Sequence, residues 1–280
     1  MSQEKLLSVK NLTVTFSTSK GPVNAVRGVS FDLGRERLGI VGESGSGKSQ
    51  TGRAILGLTA ANGTIAADEM QFHDVDLRNL SPRQWRKVRG ARISMIMQDP
   101  KYSLNPVMTI GDQIIEAYRE HYKVGTKEAT HRAIEMLEAV KIRDPQRVFK
   151  SYPHEVSGGM GQRVMIAMML IPEPELIIAD EPTSALDVTV QLQVMAILDD
   201  LVRERGMALI FISHDLHLVS SFCDRVLVMY QGRVVEEISA SELDQAKHPY
   251  TQGLLNCLPK MDGNHDDLPV LQRQASWAEG

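Results

Sequence analysis

Eight consecutive residues have the types and spacing needed to hold a phosphate group. They read Gly42, Glu43, Ser44, Gly45, Ser46, Gly47, Lys48 and Ser49, which fits the pattern G-x-x-x-x-G-K-[ST]. Glycines let such a loop turn its backbone N–H groups inward around phosphate oxygens, in conformations that a side chain would block. Lys48 would reach the β- and γ-phosphates, and Ser49 would ligate Mg²⁺. The pattern predicts a phosphate-binding loop, to which the following helix adds its positive N-terminal end.

Two acidic residues end a second apolar stretch. Residues 176–179 have the composition of a buried strand, and Asp180 and Glu181 follow at once. The first carboxylate could hold Mg²⁺ through its water shell, and the second could orient a water molecule. Such a pair at a strand end is usually a solvated turn. The phosphate loop in the same chain favours a catalytic interpretation.

A helix start further along the chain could form a second anion site. Ser157 is predicted to cap this helix, and Gly158 and Gly159 would leave N–H groups of the first turn unpaired beside the positive end of the helix. Taken alone, the same residues indicate an ordinary helix cap.

The elements that must position these residues alternate between strands and helices. Strands are predicted at residues 7–16, 29–33, 38–41, 93–97, 176–179, 208–212, 226–230 and 234–238. Helices are predicted after Ser49, after Ser81-Pro82, over much of residues 110–140 with a break at Gly125-Thr126, after Ser157, and at residues 188–203. This alternation predicts an α/β fold with parallel strands and an all-helical insertion.

Five motifs in this order resemble those of ATP-binding cassette (ABC) ATPases. They are the Gly42 loop, Gln98 after a strand, the Ser157 motif that continues to Gln162, the pair Asp180-Glu181 with Ser184-Ala185-Leu186-Asp187, and His214. The resemblance covers residues 5–260. The stretches QDPKYSLNP, SGGMGQRVMIAMML and HPYTQGLL resemble the importer subgroup for oligopeptides, dipeptides and nickel.

The resemblance implies a P-loop NTPase fold, with a RecA-like core, an N-terminal antiparallel β subdomain and an inserted α-helical subdomain. It implies one ABC ATPase domain over residues 1–260, with the helical subdomain at about 100–158. Residues 261–280 are expected to form a loose C-terminal tail.

The resemblance also implies a role for each matching residue. Glu181 would polarise the attacking water, His214 would touch the γ-phosphate, and Gln98 would sense Mg²⁺ and the water. The implied Mg²⁺ ligands are Ser49, Gln98 and Asp180. The implied ATP-binding residues are Phe16, which would stack on adenine, and Gly42, Ser44, Gly45, Ser46, Gly47, Lys48, Ser49, Ser157, Gly158, Gly159, Gln162 and Asp187.

The partners implied are a second ATPase subunit, expected to be a different chain, two membrane-spanning permease subunits and, indirectly, a solute-binding protein. Two cassettes would pack head to tail, so that each Ser157 helix closes over the γ-phosphate on the other's loop. ATP would favour the closed dimer and hydrolysis would reopen it. The chain would lie at the cytoplasmic face of the inner membrane and contact the permeases near residues 102–106.

Composition and charge bear on the alternatives. The 280 residues include 31 Lys and Arg against 35 Asp and Glu, a net charge of −4, which gives no global field for nucleic acid. The start lacks the apolar core of a signal peptide, and two cysteines without a C-x-x-C pair indicate a reduced compartment.

An ABC ATPase that remodels nucleic acid or ribosomes remains an alternative, although neither heptad arms nor a second cassette is present. An exporter-type ATPase is the other alternative, and the HPYT stretch argues against it.

The sequence departs from the resembled pattern at two places, of which the first would loosen the start of the Ser157 helix or indicate a partner with a different surface. Gly161 stands where many cassettes have a second glutamine, and no cysteine cluster follows the HPYT stretch. The second departure moves the expected substrate from peptides towards nickel, metallophores or opines.

Overall fold

The chain forms two units, Met1–Asn79 together with Ile210–Gly280, and Leu80–Leu209. A computed structural model describes residues 5–100, 103–184, 186–257 and 277. The predicted permease contact at residues 102–106 therefore lies partly outside the described residues, as does the predicted tail except for Trp277.

Alternating apolar residues build the antiparallel sheet of the first unit. In β1 (Leu7–Thr18), Leu7, Val9, Leu12 and Val14 are buried, as expected for a strand with one face on a core. The other strands of this sheet are β2 (Gly21–Leu33), β4 (Gly63–Ala66), β5 (Glu69–Phe72) and β6 (Val75–Asp76). Their order is β2-β1-β5-β6, and β4 also pairs with β1.

The same unit contains the strand that leads into the phosphate loop. This strand is β3 (Arg37–Val41), and α1 (Lys48–Ile55) follows the loop. The unit also contains most of β9 (Ala208–Ser213), and then α8 (Leu216–Phe222), β10 (Arg225–Tyr230), β11 (Arg233–Ser239) and α9 (Pro249–Asn256). Its strands lie in the order β11-β10-β3-β9, with β10 parallel to β3 and antiparallel to β11. The last four residues of β3 are buried, because the strand is covered on both faces.

The second unit combines two parallel strands with a group of helices. The strands are β7 (Ile93–Ile96) and β8 (Leu176–Asp180), with Ile93 opposite Leu176. The helices are α2 (Pro82–Val88), α3 (Ile110–Arg119), α4 (Thr126–Ala139), α5 (Pro145–Lys150), α6 (Gly158–Leu170) and α7 (Val188–Arg205). Helices α3 to α6 pack against one another, and Thr109 and Asp144 cap α3 and α5 through their side chains.

Most predicted elements are present, with three differences. The helices α5, α8 and α9 were not predicted. The strand expected to begin at residue 29 begins at Gly21, because residues 21–28 pair with β1 although many of them are exposed. The short strands β4 to β6 were not predicted. In the described part of the chain, no helix is both long and apolar enough to cross a membrane.

Close packing behind the phosphate loop generates a prediction for Gly39 of β3. A Cβ at this position would lie 2.2 Å from Val219 Cγ1 on α8. Overpacking of this kind costs about 1–3 kcal/mol, so we expect Gly39→Ala to lower the free energy of unfolding in urea by this amount. The double variant Gly39→Ala with Val219→Ala should recover part of the loss. Strictly additive losses would contradict the assigned clash.

Candidate functional site

The phosphate loop depends on glycines in backbone conformations that other residues rarely adopt. Gly42, Gly45 and Gly47 have φ angles of 150°, 83° and 101°. A Cβ on Gly42 would lie 2.1 Å from the Met229 carbonyl oxygen, and one on Gly47 would lie 2.4 Å from the Ala25 carbonyl oxygen. A Cβ on Gly45 would meet no atom within 4 Å. The positive φ angles favour glycine at all three positions, and close packing on protein adds a second requirement at Gly42 and Gly47 but not at Gly45, which lies on the open side.

A buried positive charge lies at the centre of the loop. Lys48 is only 4% exposed, and its Nζ donates to the carbonyl oxygens of Gly42 at 2.8 Å and Glu43 at 2.9 Å. Lys48 is also the first residue of α1, whose N-cap, Gly47, has no side chain to occupy the N–H groups of the first turn. A buried ammonium beside a helix N-terminus suits an anion, so these residues fit a phosphate group. Ser49 lies on the first turn and is half-buried.

The first unit also positions His214 beside the start of the loop. His214 follows β9 and is exposed, and the side chain of the next residue, Asp215, caps α8 by accepting from Leu218 N–H at 3.1 Å. His214 and Gly42 line one cavity of about 190 Å³, whose other lining residues are Val41, Leu216, Leu254 and Cys257. The structure therefore brings His214 to the side of the loop where β3 ends.

Phe16 belongs to the packing of the antiparallel sheet. It is half-buried in β1 opposite Gly63 of β4, and a Cβ on Gly63 would lie 2.8 Å from Phe16 Cε1. The ring therefore covers Gly63. Its predicted stacking on adenine stays a prediction.

The second unit brings Gln98 and Glu181 together. Asp180 ends β8 and is 3% exposed, and Glu181 follows with a φ of 46°, in the left-handed region. Gln98 is exposed, and its Nε2 donates to Glu181 Oε2 at 3.3 Å. A non-glycine residue held in this region costs about 1–3 kcal/mol, and such strain is concentrated at functional sites.

The Ser157 helix is connected to the segment that follows Glu181. Ser157 caps α6, as predicted, with its Oγ accepting from Met160 N–H at 3.4 Å. Gln162 is 1% exposed and donates from Nε2 to the Pro182 carbonyl oxygen at 2.6 Å. This bond ties the first turns of α6 to the residue immediately after Glu181.

The remaining predicted residues of this unit lie at the starts of α6 and α7. Gly158 is exposed, and a Cβ there would meet no atom within 4 Å. Gly159 packs against Val190, because a Cβ on it would lie 2.7 Å from Val190 Cγ1. Asp187 caps α7 by accepting from Val190 N–H at 3.0 Å. The two helix starts therefore contact each other through Gly159 and Val190.

Backbone atoms that no sequence motif indicates hold the loop from outside. Gly232 in the turn between β10 and β11 donates its N–H to the Ser46 carbonyl oxygen at 2.9 Å and accepts from Arg27 N–H at 2.7 Å. Met229 and Ala25 contribute the carbonyl oxygens that crowd the loop glycines. These residues carry no local signal, since their role depends on strand pairing across the unit.

Comparison with known proteins identifies the family. The sequence pattern of the family described as ABC transporter matches residues 26–184. The oligopeptide transport ATP-binding protein OppD of Escherichia coli (strain K12) is 50% identical over 267 residues, covering 95% of this chain and 79% of that protein. The dipeptide transport ATP-binding protein DppD of Bacillus subtilis (strain 168) is 48% identical over 268 residues, covering 95% and 80% of the two chains.

A solved structure shows the same fold. The ATP-binding cassette MJ0796, described as a dimer in a post-hydrolysis state bound to ADP and Pi, matches with a TM-score of 0.75 and 27% identity. The match covers 84% of this chain and 98% of that one. The fold is that of a P-loop NTPase cassette. The chain belongs to the ABC transporter family, as an ATP-binding protein that hydrolyses ATP.

The two types of loop glycine generate a prediction. Alanine at Gly45 or Gly47 carries a backbone cost of about 1–2 kcal/mol, because both have positive φ angles. Only Gly47→Ala also places a Cβ against the Ala25 backbone oxygen, which adds about 1–3 kcal/mol. We expect Gly47→Ala to lower the thermal unfolding midpoint of the nucleotide-free chain more than Gly45→Ala does. Equal shifts would show that the close approach to Ala25 has no energetic weight.

Proposed function

We propose that this chain is the ATP-hydrolysing subunit of an importer for peptides or a related small solute such as nickel, a metallophore or an opine. The observation that supports ATP binding most strongly is the buried Lys48 ammonium inside the glycine loop. The peptide part is supported by about 50% identity to proteins named for oligopeptide and dipeptide transport. One cassette domain over residues 1–260, with its helical part at about 100–158, belongs to the same proposal.

The first unit would supply most of the contacts to ATP. The N–H groups of the Gly42 to Ser49 loop and the Lys48 ammonium would bind the phosphates, and Phe16 would stack on the adenine ring. The Ser49 hydroxyl is proposed as a ligand of Mg²⁺. His214 would hold the γ-phosphate and the geometry of the attacking water.

Glu181 is proposed to supply the acid–base chemistry. Glu181 would accept a hydrogen bond from the attacking water and orient its lone pair. Gln98 supports this role because its amide already hydrogen-bonds the Glu181 carboxylate. Asp180 and Gln98 are proposed as further ligands of Mg²⁺, which when bound neutralises negative charge on the phosphates.

The Ser157 helix is proposed to act on the nucleotide of a second cassette. Gly158 is exposed and open around its Cα, and Ser157 satisfies only the Met160 N–H of the first turn. The remaining N–H groups, with the helix dipole, would bind the γ-phosphate on the partner's loop, and Asp187 would lie at the same seam. ATP would hold the dimer closed, and loss of the γ-phosphate contacts would release it.

A surface groove next to this helix is proposed to receive the permease. The cavity has a volume of about 480 Å³. Its lining is Asp99, Pro100, Leu104, Pro106, Pro153, His154, Val156, Ser157, Gly158, Gly161 and Leu186. It is mainly apolar and is lined both by Asp99 and Pro100, which follow Gln98 in the chain, and by the cap of α6, so a permease segment there would contact both. Two permeases would hold the chain at the cytoplasmic face of the inner membrane.

The role of Glu181 is tested by Glu181→Gln. A general base contributes about 10²–10⁴-fold, so the steady-state ATPase rate of the assembled transporter should fall by at least about 100-fold, with ATP still bound. The matched control is Glu175→Gln, since Glu175 is a partly exposed carboxylate paired with Arg92. Rapid hydrolysis by Glu181→Gln, or an equal loss in Glu175→Gln, would refute the role.

The transport part is tested by affinity purification of the full-length chain from membranes. We expect two multispanning proteins and a second cassette to co-purify, and ATP-dependent uptake of a labelled peptide after reconstitution. Uptake of a nickel complex without peptide uptake would show that the substrate is of the nickel type and not a peptide. If the chain is retained on ribosomes or DNA and no permease co-purifies, the proposed importer function is wrong.

A further inference from the structure

Tyr250 connects the C-terminal HPYT stretch to the phosphate loop. It is the second residue of α9 and is fully buried. Its hydroxyl oxygen accepts a hydrogen bond from Glu43 N–H at 3.0 Å. The two residues are 207 positions apart, and Tyr250 was not among the residues predicted to form the site.

A single peptide group connects the Tyr250 hydrogen bond to Lys48. Glu43 N–H and Gly42 C=O belong to the same peptide unit, and this carbonyl oxygen accepts from Lys48 Nζ at 2.8 Å. A peptide unit is planar, so its N–H and C=O turn together. The hydrogen bond from Glu43 N–H to the Tyr250 hydroxyl therefore also fixes the direction of the Gly42 carbonyl, which accepts from the Lys48 ammonium.

The phenol is itself held by the sheet on which α9 packs. Its ring lies 4.5 Å from the ring of Tyr230 on β10, at an interplanar angle of 44°. The Tyr250 N–H donates to His248 Nδ1 at 3.2 Å, and His248 N–H donates to Glu236 Oε1 on β11 at 3.2 Å. These contacts leave the buried Tyr250 hydroxyl little freedom to change its position.

We propose that Tyr250 is a positioning residue of the ATP site, which sets the Gly42-Glu43 peptide and through it the Lys48 ammonium. The inference rests on the proposed role of the loop in binding the ATP phosphates. It assigns the HPYT stretch a function at the phosphate loop of its own chain. Tyr250 accepts from only one N–H group of the loop, that of Glu43, whereas the Ser46 N–H donates within the loop to the Glu43 carbonyl oxygen at 3.1 Å.

The test is Tyr250→Phe, which keeps the ring and removes the hydroxyl. Loss of one hydrogen bond to a buried amide corresponds to an affinity change of about 3- to 10-fold. We expect the Kd of the full-length chain for the fluorescent analogue mant-ATP to rise by this factor. In the assembled transporter, KM for ATP should rise by a similar factor with kcat nearly unchanged, because the γ-phosphate chemistry retains Glu181.

Hydrogen exchange separates positioning from general loss of stability. In Tyr250→Phe, the Glu43 amide and the peptide containing the loop should exchange faster, whereas peptides of β1 and α8 should not change. Tyr122→Phe is the matched control, since it removes a phenol that donates to a backbone oxygen, that of Pro172 at 2.9 Å, in the second unit. This control should leave the Kd for mant-ATP unchanged.

Lys48→Ala distinguishes failure of the inference from failure of the proposed function. If Lys48→Ala binds mant-ATP as tightly as the unmodified chain, the phosphate site itself is wrong. If Lys48→Ala loses binding while Tyr250→Phe keeps the original Kd and exchange rates, the site stands and the positioning role is wrong. Equal loss of protection throughout the unit in Tyr250→Phe would make Tyr250 a purely structural residue, and would also overturn the inference.

Discussion

A loop proposed to bind phosphate through its N–H groups has few of them left to hold itself in place. Other parts of the chain must therefore hold it, and in this protein they do so mainly through backbone atoms. The Met229 and Ala25 carbonyl oxygens approach the loop so closely that only glycine fits opposite them, and Gly232 bonds to the Ser46 carbonyl. The Lys48 ammonium is held at the centre of the loop by the carbonyl oxygens of Gly42 and Glu43, where it is proposed to meet the phosphates.

In the second unit, helix caps hold the predicted site residues in place. Ser157 and Asp187 fix where α6 and α7 begin, and Gln162 binds the backbone just beyond Glu181. The carboxylate of Glu181 is thus set by a strained backbone and by the Gln98 amide together. A change in the position of Gln98 would be felt at Glu181 directly. This arrangement suits the proposed role of Glu181, because binding events that displace Gln98 would then change the position of the carboxylate proposed to orient the attacking water.

The sequence predicts the parts of the site that depend on local order. The phosphate loop, the cap at Ser157 and the strand before Asp180 each follow from neighbouring residues, because turn and cap preferences act within a few positions. The short strands β4 to β6 carry too few alternating residues to be recognised, and their formation depends on pairing with β1 and with each other. The contacts of Tyr250, Met229 and Gly232 with the loop were not predicted for the same reason. They arise only when distant segments pack, and neither residue type nor spacing indicates them.

We propose that ATP is bound jointly, by the loop of one cassette and the Ser157 helix of its neighbour. Photolabelling of the purified transporter with ATP γ-azidoanilide, followed by mass spectrometry of its peptides, tests this joint binding. We expect label on peptides containing residues 42–49 and residues 157–162 of this chain, with the second label present only when the partner cassette is present. Label on residues 157–162 of the isolated chain, or no label on residues 42–49 in the transporter, would contradict it.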